Sequence, residues 1–405
     1  MRSLLGRLDL GRDVKLLVAS MGIVSLAGGF SQVVQAIYLD MLGVTPIMIG
    51  VLASIATVGG ALRNVLFAVL SDKFGRRNIL FFVFLTSMLY NLIYYAATDY
   101  AFFVLAAIIG GAGGEGYGGY AEGALLSEKA GDSKRTLAFS VQYFASSSFS
   151  ALGTLAAGLP DGITQAFGIP RLDAIRNIFA LQACVVFLAS ALILLVSESK
   201  HKAERKEERY LSADSRKKIV KFSILGAFDG FGIGMIINLF SLWFYLRFGI
   251  GLATVGYIFT TSKVIETGAY LAGLPISKRI GVINTIRVAR LGGAVSVGLM
   301  PFMPTYALAA VAYTSRNVIQ HISIPLRSSY TMAIFNRNER ASAASISNLT
   351  STASNTMANA LSGYIMENVD ILLPPIISAG FVGIAAQLWY VFFKNIKPPE
   401  EQKKE

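Results

Sequence analysis

The sequence predicts an all-α polytopic membrane protein in which twelve transmembrane helices form two pseudo-symmetric six-helix bundles. Three observations lead to this prediction. Of the 405 residues, 54% are hydrophobic and 15% are charged, whereas a soluble domain has about 25% charged residues. The chain contains twelve apolar stretches of about the 20 residues that a helix needs to cross a bilayer. One long polar segment in the interior divides these stretches into six and six.

Seven of the twelve predicted spans contain no Asp, Glu, Lys or Arg, and five are interrupted by isolated charges. We expect each span to be a helix, because a helix satisfies its own backbone hydrogen bonds in lipid. In chain order the spans are Leu16–Leu39, Met41–Leu62, Asn78–Thr98, Tyr100–Ser127, Thr136–Pro160, Asn177–Ser197, Phe222–Leu246, Leu252–Ile276, Val282–Met303, Tyr306–Phe335, Ala341–Met366 and Ile371–Phe393.

The basic residues are concentrated in alternate loops. Twenty-seven Lys and Arg residues fall in the loops and termini on the side of the N-terminus, and three fall on the other side. By the positive-inside rule, this bias places both termini in the cytoplasm of a multi-pass protein in the cell membrane. The bias also accounts for the net charge of +12. The sequence therefore predicts the lipid bilayer, and no nucleic acid, as a partner.

The polar segment 198–218 separates two halves of similar length. We expect an N-terminal six-helix bundle at 1–197, a cytoplasmic linker at 198–218, a C-terminal six-helix bundle at 219–396 and a cytoplasmic tail at 397–405. A shift of 206 residues aligns loops and span ends of the first half with those of the second, including Gly75 with Gly281. This clustering of matches predicts two parallel repeats of six spans.

A short charged loop follows the second span. An acid, a tight glycine turn and two bases can pin neighbouring helix ends through ion pairs and contacts with helix dipoles. The segment from Val69 to Arg77 resembles the loop signature of the major facilitator superfamily, G-x-x-x-D-[RK]-x-G-R-[RK], and departs from it at Ala68, where the first glycine is expected. The loops after spans four and ten are similar to loops of that family as well. The predicted gating residues are Asp72, Gly75, Arg76, Arg77 and Glu128.

The twelve spans, the central linker and the repeat extend this resemblance over nearly the whole chain. It implies a monomeric transporter that works by alternating access, with spans 1, 4, 7 and 10 lining a central cavity and spans 2, 5, 8 and 11 beside them. Members of the family that exchange protons for drugs often carry an Arg in span four and a Gly-Pro pair in span five. This chain has neither, so the resemblance does not favour the drug/proton antiporter subtype.

Charged residues inside the spans are concentrated in those that the resemblance places around the cavity. A charge near the bilayer centre costs at least ~2.5–3.5 kcal/mol on insertion scales, so it persists only where it faces protein or water. Spans 3, 6 and 12 carry no charge at depth, and this distribution predicts a water-filled path. The candidates for proton coupling are Glu115, His321, Asp229 and Glu266.

Glu115 is the leading candidate for the proton site, because it lies about 15 residues from the outer end of span four, close to mid-membrane at ~1.5 Å per residue. His321 is its counterpart under the 206-residue shift. Desolvation favours protonation of a carboxylate and histidine titrates near neutrality, so either group can carry a proton. The alternative is that both only hold helices together through ion pairs or hydrogen bonds.

Polar and aromatic side chains on the cavity spans are the candidates for binding a solute, although each taken singly is more often a helix-packing contact. Lys263 and Glu266 have ion-pair spacing on one helix, so they either neutralise each other or contact the solute. The substrate-binding candidates are Gln32, Gln35, Asn238, Trp243, Lys263, Arg316, Asn317, Gln320 and Tyr117.

The sequence predicts different roles for three arginines of the second half. Arg316 either receives an anionic group of the solute or pairs with Glu115 or Asp229. Arg287 and Arg290 are expected to extend their charged ends to the inner membrane interface, because long basic side chains near helix ends reach for water.

The sequence therefore predicts a secondary active transporter of a small organic solute, coupled to protons, since buried titratable groups are costly unless they are used. A passive facilitator of a neutral sugar or polyol is the alternative, favoured by the amides. A non-transporting membrane sensor or scaffold is the third reading, and nothing positive in the sequence favours it. The sequence contains no metal-ligand cluster, nucleophile constellation or nucleotide motif, so we expect no enzyme activity, no metal and no cofactor.

Overall fold

The computed structural model describes residues 10–110, 119–198, 213–335 and 340–395, and regular structure within these ranges is helical, with no strand. The prediction of an all-α membrane protein is confirmed. The first half contains α1 (Arg12–Met41), α2 (Pro46–Phe74), α3 (Arg76–Ala96), α4 (Tyr100–Gly110), α5 (Gly119–Ala156), α6 (Leu159–Phe167) and α7 (Arg171–Leu194). The second half contains α8 (Ala213–Gly234), α9 (Phe240–Phe248), α10 (Leu252–Ile280), α11 (Val282–Leu299), α12 (Tyr306–Ile334), α13 (Arg340–Asn368) and α14 (Leu373–Phe393).

Nine of the twelve predicted spans correspond to single helices of the described chain. Spans 1 to 3 are α1 to α3, span 6 is α7, and spans 8 to 12 are α10 to α14. Within the described ranges, seven helical stretches are long and apolar enough to cross a membrane by length and composition: Arg12–Met41, Pro46–Ser71, Arg76–Ala96, Arg171–Leu194, Ser215–Phe248, Val282–Phe302 and Leu373–Phe393.

The remaining spans depart from a single straight helix. Span 4 is divided between α4 and the start of α5, and the residues between them lie outside the described ranges. Within α5 the backbone breaks at Gly131, where φ is 67°, so spans 4 and 5 are two helices joined at that glycine. Span 7 is interrupted between α8 and α9, where a short 3-10 turn, Ile237–Leu239, replaces the α-helix. The sequence did not predict this interruption or the short helix α6.

The predicted repeat is visible in the backbone. Helices α2 and α10 each have 29 residues and are offset by 206 positions. Each is followed by a glycine with closely similar dihedral angles, φ 86° and ψ 145° at Gly75 and φ 81° and ψ 157° at Gly281. The Asn78 side-chain amide donates to the carbonyl four residues earlier at 3.0 Å, and Asn284 does the same at 3.0 Å. The two halves therefore repeat the same turn with the same hydrogen bond.

The chain folds into two compact units. Unit 1 comprises Met1–Val44, Ile55–Arg205 and Gly251–Thr260, and unit 2 comprises Thr45–Ser54, Lys206–Ile250 and Thr261–Glu405. The main division, between Arg205 and Lys206, falls inside the segment predicted as a linker. The start of α2 belongs to unit 2 and the start of α10 belongs to unit 1, and these two short segments are themselves offset by 206 residues.

Small residues let helices approach closely within each unit. A Cβ atom on Gly29 of α1 would lie 2.1 Å from the Ser150 carbonyl of α5, so the two backbones are in direct contact in unit 1. In unit 2 a Cβ atom on Gly230 of α8 would lie 2.1 Å from the Ser351 carbonyl of α13. Membrane helices pack through such small residues because lipid provides no hydrophobic drive for their association. The first and fifth predicted spans of each half are thus held together in the same way.

Candidate functional site

A buried polar network joins α10 and α12 in unit 2. Its members on α10 are Ser262, Lys263 and Glu266, and its members on α12 begin with Arg316 and Asn317; each of these five residues is at most 6% exposed. Residues three and four apart share one face of a helix, so the spacing of 262, 263 and 266 brings their side chains to the same side of α10. His321, one turn after Asn317, completes the network with a side chain that is 15% exposed.

The Glu266 carboxylate lies between two basic groups. Its Oε1 atom is 3.9 Å from Lys263 Nζ, and its Oε2 atom is 3.8 Å from His321 Nδ1. His321 Nδ1 is also 2.6 Å from the backbone carbonyl of Asn317. Because a carbonyl oxygen only accepts, Nδ1 carries a hydrogen and donates it. In the neutral ring, the proton acceptor is therefore Nε2.

Asn317 connects the arginine of α12 to α10. Its Oδ1 atom accepts a hydrogen bond from Arg316 Nη1 at 2.7 Å, and its Nδ2 group donates to Ser262 Oγ at 2.9 Å. The Arg316 guanidinium lies 5.5 Å from the centre of the Phe240 ring, and its Nε atom is buried without a hydrogen-bond partner. Gln320 packs against α11 instead. A Cβ atom on Gly293 of α11 would lie 2.7 Å from the Cγ atom of Gln320.

A second buried cluster surrounds Asp229 on α8. Its Oδ1 atom accepts from Arg290 Nη2 on α11, and its Oδ2 atom accepts from Arg327 Nη2 on α12 at 2.8 Å. The Asp229 and Arg290 side chains are 4% and 3% exposed, and that of Arg327 is 31% exposed. The cluster therefore joins three helices of unit 2 through one carboxylate.

This cluster corrects two expectations for the arginines. The prediction that Arg290 extends to the membrane interface is wrong, since its guanidinium is buried against Asp229. Burying the two opposite charges as a pair costs less free energy than burying either charge alone. Arg287 stacks over the Tyr390 ring at 4.4 Å. The alternative that Arg316 pairs with Asp229 is also wrong, because both Asp229 oxygens bind Arg290 and Arg327.

Several predicted solute ligands make contacts inside their own unit. Trp243 is fully buried and its Nε1–H group donates to the Ile371 carbonyl at 2.8 Å. Asn238, in the interruption of span 7, donates to Asn359 Oδ1 at 3.1 Å. In unit 1, Gln35 donates to the Tyr94 hydroxyl at 2.8 Å, and Gln32 is half-buried on α1. The leading proton candidate and the aromatic candidate of span four, Glu115 and Tyr117, lie outside the described residues.

The predicted gating loop forms ion pairs in unit 1. Arg76 Nη1 is 2.9 Å from Glu128 Oε2, and Arg77 Nε is 3.1 Å from Glu198 Oε2. Gly75 supplies the turn between α2 and α3, and its positive φ is one that residues with a Cβ atom rarely adopt. The side chain of Asp72 is not among the described ones. The described side chains of the loop thus tie the start of α3 to Glu128 within α5 and to Glu198, which follows the end of α7.

Two residues of these clusters carried no prediction from the sequence. Ser262 was missed, since a lone serine in an apolar span gives no signal. Arg327 of span ten was missed as well, although an unexplained arginine in an apolar helix indicates a buried acid elsewhere. Among the described residues there is no group of three His, Cys, Asp or Glu side chains that could hold a metal ion.

Comparison with known proteins gives one family and a consistent fold. A family model described as Major Facilitator Superfamily matches residues 16–324 and again 223–405. The uncharacterized membrane protein YJR124C of Saccharomyces cerevisiae is 19% identical over 340 residues, which cover 75% of this chain and 76% of that protein.

Among solved structures, the nucleoside transporter NupG has a TM-score of 0.71 at 14% identity, with 95% of this chain and 100% of that chain covered. A D-xylose-proton symporter has a TM-score of 0.73 at 16% identity, with 94% and 97% covered. A bacterial homologue of the human lysosomal transporter Spinster, inward-facing and occupied, has a TM-score of 0.73 at 12% identity, with 95% and 96% covered. At these identities the likeness establishes the fold.

Proposed function

Because this chain belongs to the Major Facilitator Superfamily, we propose that it is a secondary active transporter that couples movement of a small organic solute across the cell membrane to protons. The family and the fold support a multi-pass membrane protein that acts as a transporter rather than as an enzyme. Two proteins of the same fold are a nucleoside transporter and a D-xylose-proton symporter. Solute transport in those two proteins supports the proposal that this chain transports a solute. Proton coupling in the symporter supports the proposal that transport is coupled to protons.

The observation that carries proton coupling is the position of His321 beside Glu266. The two groups are 3.8 Å apart in the network of α10 and α12. Histidine is the side chain whose charge changes nearest to neutral pH. A pair made of an imidazole and a carboxylate in a buried site can therefore gain and lose one proton without a large rearrangement.

The proton step in this proposal is an exchange of partners at one carboxylate. While His321 is neutral, Lys263 is the cation that balances Glu266, at 3.9 Å. When Nε2 of His321 takes up a proton, the imidazolium competes with Lys263 for Glu266, and the charge of the network rises by one. Because a low-dielectric environment magnifies such a change, protonation alters the affinity of the site for a charged or polar solute. When this site is exposed alternately to the two sides of the membrane, movement of the solute is coupled to movement of the proton.

The other candidates take different roles in the proposal. We assign Asp229 a structural role, because its two carboxylate oxygens pair with Arg290 and Arg327. Trp243 and Gln35 are likewise packing residues, since their polar groups bond within their own units. Glu115 and Tyr117 keep their predicted roles in proton and solute binding. We propose that the Arg76–Glu128 ion pair belongs to the gate.

The test is proton movement in proteoliposomes that contain the purified protein and a trapped pH dye. Uridine, uridine 5′-monophosphate, D-xylose and D-xylonate are added one at a time across an imposed pH gradient. We expect at least one of them to collapse the gradient through the wild-type protein. In His321→Gln and Glu266→Gln the same solute should still exchange at equilibrium, while gradient collapse falls at least about tenfold, because an amide cannot carry the proton.

The matched control is His201→Gln. His201 is the other histidine of the chain and lies in the predicted linker, so this variant should couple normally. Solute entry without any change in the pH gradient would favour the passive facilitator instead. Normal coupling in both His321→Gln and Glu266→Gln would remove this pair as the proton site.

A further inference from the structure

We infer that Arg316 is the receptor for an acidic group on the transported solute, a carboxylate or a phosphate, so that the substrate is an organic anion. This inference rests on the proposed transport function and specifies its substrate. Arg316 is 4% exposed and lies ten residues, or ~15 Å, from the start of α12 at Tyr306. Half the thickness of the hydrocarbon core is about the same distance. The guanidinium therefore lies near mid-membrane depth.

The hydrogen bonding of Arg316 is incomplete. A guanidinium has five N–H donors, and the described structure gives this one a single hydrogen bond, to Asn317 Oδ1 at 2.7 Å. Its Nε–H group is buried without an acceptor. No carboxylate among the described residues lies within 4.0 Å of it. Buried donors are rarely left unpaired in folded proteins, so these N–H groups lack an acceptor that a solute can provide.

The buried acids of unit 2 that the structure describes already have basic partners other than Arg316. Among the described residues of unit 2, Glu266 is shared by Lys263 and His321, and Asp229 is shared by Arg290 and Arg327. Two buried acids thus serve four basic groups before Arg316 is counted. The described interior of this unit has an excess of positive charge, and an anion is the partner that this excess favours.

The shape of the site suits a planar or tetrahedral anion. Asn317 holds one Nη1–H group from one side, and the Phe240 ring lies 5.5 Å from the guanidinium carbon on another. These two contacts leave the Nε–H group and the remaining Nη–H groups of the guanidinium, a planar fork of donors, for a ligand. Such a fork binds carboxylate and phosphate through two parallel hydrogen bonds.

The position of Arg316 also links the anion to the proton. Asn317 bonds to Arg316 through its side chain and to His321 through its backbone carbonyl. A proton on His321 adds positive charge next to the anion site, and an anion on Arg316 stabilises that proton in return. Reciprocity of binding requires that each strengthens the other.

The experiment is a thermal-shift measurement on the full-length protein in detergent, with no gradient present. The probes form three pairs that differ by one acidic group: D-xylonate and D-xylose, uridine 5′-monophosphate and uridine, and glucose 6-phosphate and glucose. We expect the acidic member of at least one pair to raise Tm by a few degrees at saturation, while its neutral counterpart does not. The carboxylate and phosphate pairs distinguish the two kinds of acid.

Three variants locate the effect. Arg316→Gln should lower the affinity for the acidic probe at least about tenfold, and Arg316→Lys should retain part of it because the charge remains. The matched control is Arg247→Gln, since Arg247 is exposed and lies over the Phe248 ring at the same 5.5 Å. This control should bind as the wild type does. If Arg316→Gln does not fold, the comparison of Arg316→Lys with the wild type still reports on the site.

Stabilisation by neutral probes that equals that by acidic ones, unchanged binding in the Arg316 variants, or no shift with any of the six probes would overturn the inference. The two proposals fail separately. Anion-selective binding without proton movement in the liposomes would refute coupling and keep the anion site. Proton movement driven only by neutral solutes would refute the anion site and keep the transporter.

Discussion

In the described part of unit 2, Asp229 is a buried carboxylate that pairs with two arginines, Arg290 and Arg327. Replacing it by Asn leaves the guanidinium groups of Arg290 and Arg327 without a counter-charge. Breaking a buried ion pair by removing one partner costs about 3–5 kcal/mol. We therefore expect Asp229→Asn to lower Tm by roughly 10 °C, at about 2–4 °C per kcal/mol for a chain or domain of this size. Thermal unfolding of the purified protein in detergent is the measurement.

The control for this prediction is Asp173→Asn. The Asp173 carboxylate is 52% exposed and pairs with Arg176 at 3.6 Å. An exposed pair contributes about 0–1 kcal/mol, so its loss should shift Tm only slightly. Equal Tm changes in the two variants would contradict the assignment of Asp229 as a buried structural anion.

Individual residues show where sequence reasoning succeeds and where it stops. The pairing of Lys263 with Glu266 was predictable, because three positions on one helix fix the distance between them. The pairing of Asp229 with Arg290 was not, since 61 residues separate them and the contact depends on how α8 and α11 pack. Sequence gives the depth of a charge in the membrane. It does not give the rotation of the helix that carries the charge, and this is why the destination of Arg290 was mistaken.

At the scale of elements, the glycine turns before α3 and α11 provide a test of the repeat. Gly281 has φ 81° and ψ 157°, a backbone region that is nearly restricted to glycine. We expect Gly281→Ala to destabilise the protein by about 1–3 kcal/mol, and Gly75→Ala to act in the same direction, since a Cβ atom there would also lie 2.4 Å from Glu198 Oε1. Chemical or thermal unfolding of the two variants measures the loss.

Gly380→Ala is the matched control for these substitutions. Gly380 lies inside α14, and a Cβ atom at that position would meet nothing within 4 Å. Alanine is a better helix former than glycine by about 1 kcal/mol, so this variant should be as stable as the wild type or more so. Loss of stability in Gly380→Ala equal to that in Gly281→Ala would show that backbone conformation is not the cause.

Elements were predictable where apolar length alone decides them. Spans such as α3 and α7 were found with their loops, because about 20 apolar residues leave a chain in lipid no other structure. The interruption between α8 and α9 was not found. The residues from Met235 to Leu239 are mostly apolar and contain no proline, so their composition does not indicate a break in the helix. In the structure, Asn238 in this break donates a hydrogen bond to Asn359.

At the scale of the whole molecule, the repeat was predictable and the division into units only partly so. The 206-residue shift was visible in the sequence because turns constrain residue type, and the structure reproduces it in the offset of α2 and α10. The exchange of Thr45–Ser54 and Gly251–Thr260 between the units was invisible. It depends on close contacts such as that of Gly50 with the Asn359 carbonyl, where a Cβ atom would lie 2.5 Å away. Composition does not encode such contacts.

The orientation of the molecule in the membrane gives the last prediction. The excess of basic residues on one side, 27 against 3, predicts that both termini and the linker 198–218 are cytoplasmic. Cys184 is the single cysteine, so Cys184→Ser provides a background in which one new cysteine reports one location. In that background, Ser212→Cys should react with a membrane-impermeant maleimide only after the cells are permeabilised.

Two positions on the opposite side serve as controls in the same background. Thr98, between α3 and α4, and Val369, between α13 and α14, are both exposed. Because each of them lies at or after the end of an odd-numbered predicted span, Thr98→Cys and Val369→Cys should react in intact cells. Positive-inside bias acts during insertion and applies to the chain as a whole, so all three positions must agree. Labelling of Ser212→Cys in intact cells, with protection of the other two, would invert the topology and with it the side on which the Arg76–Glu128 pair lies.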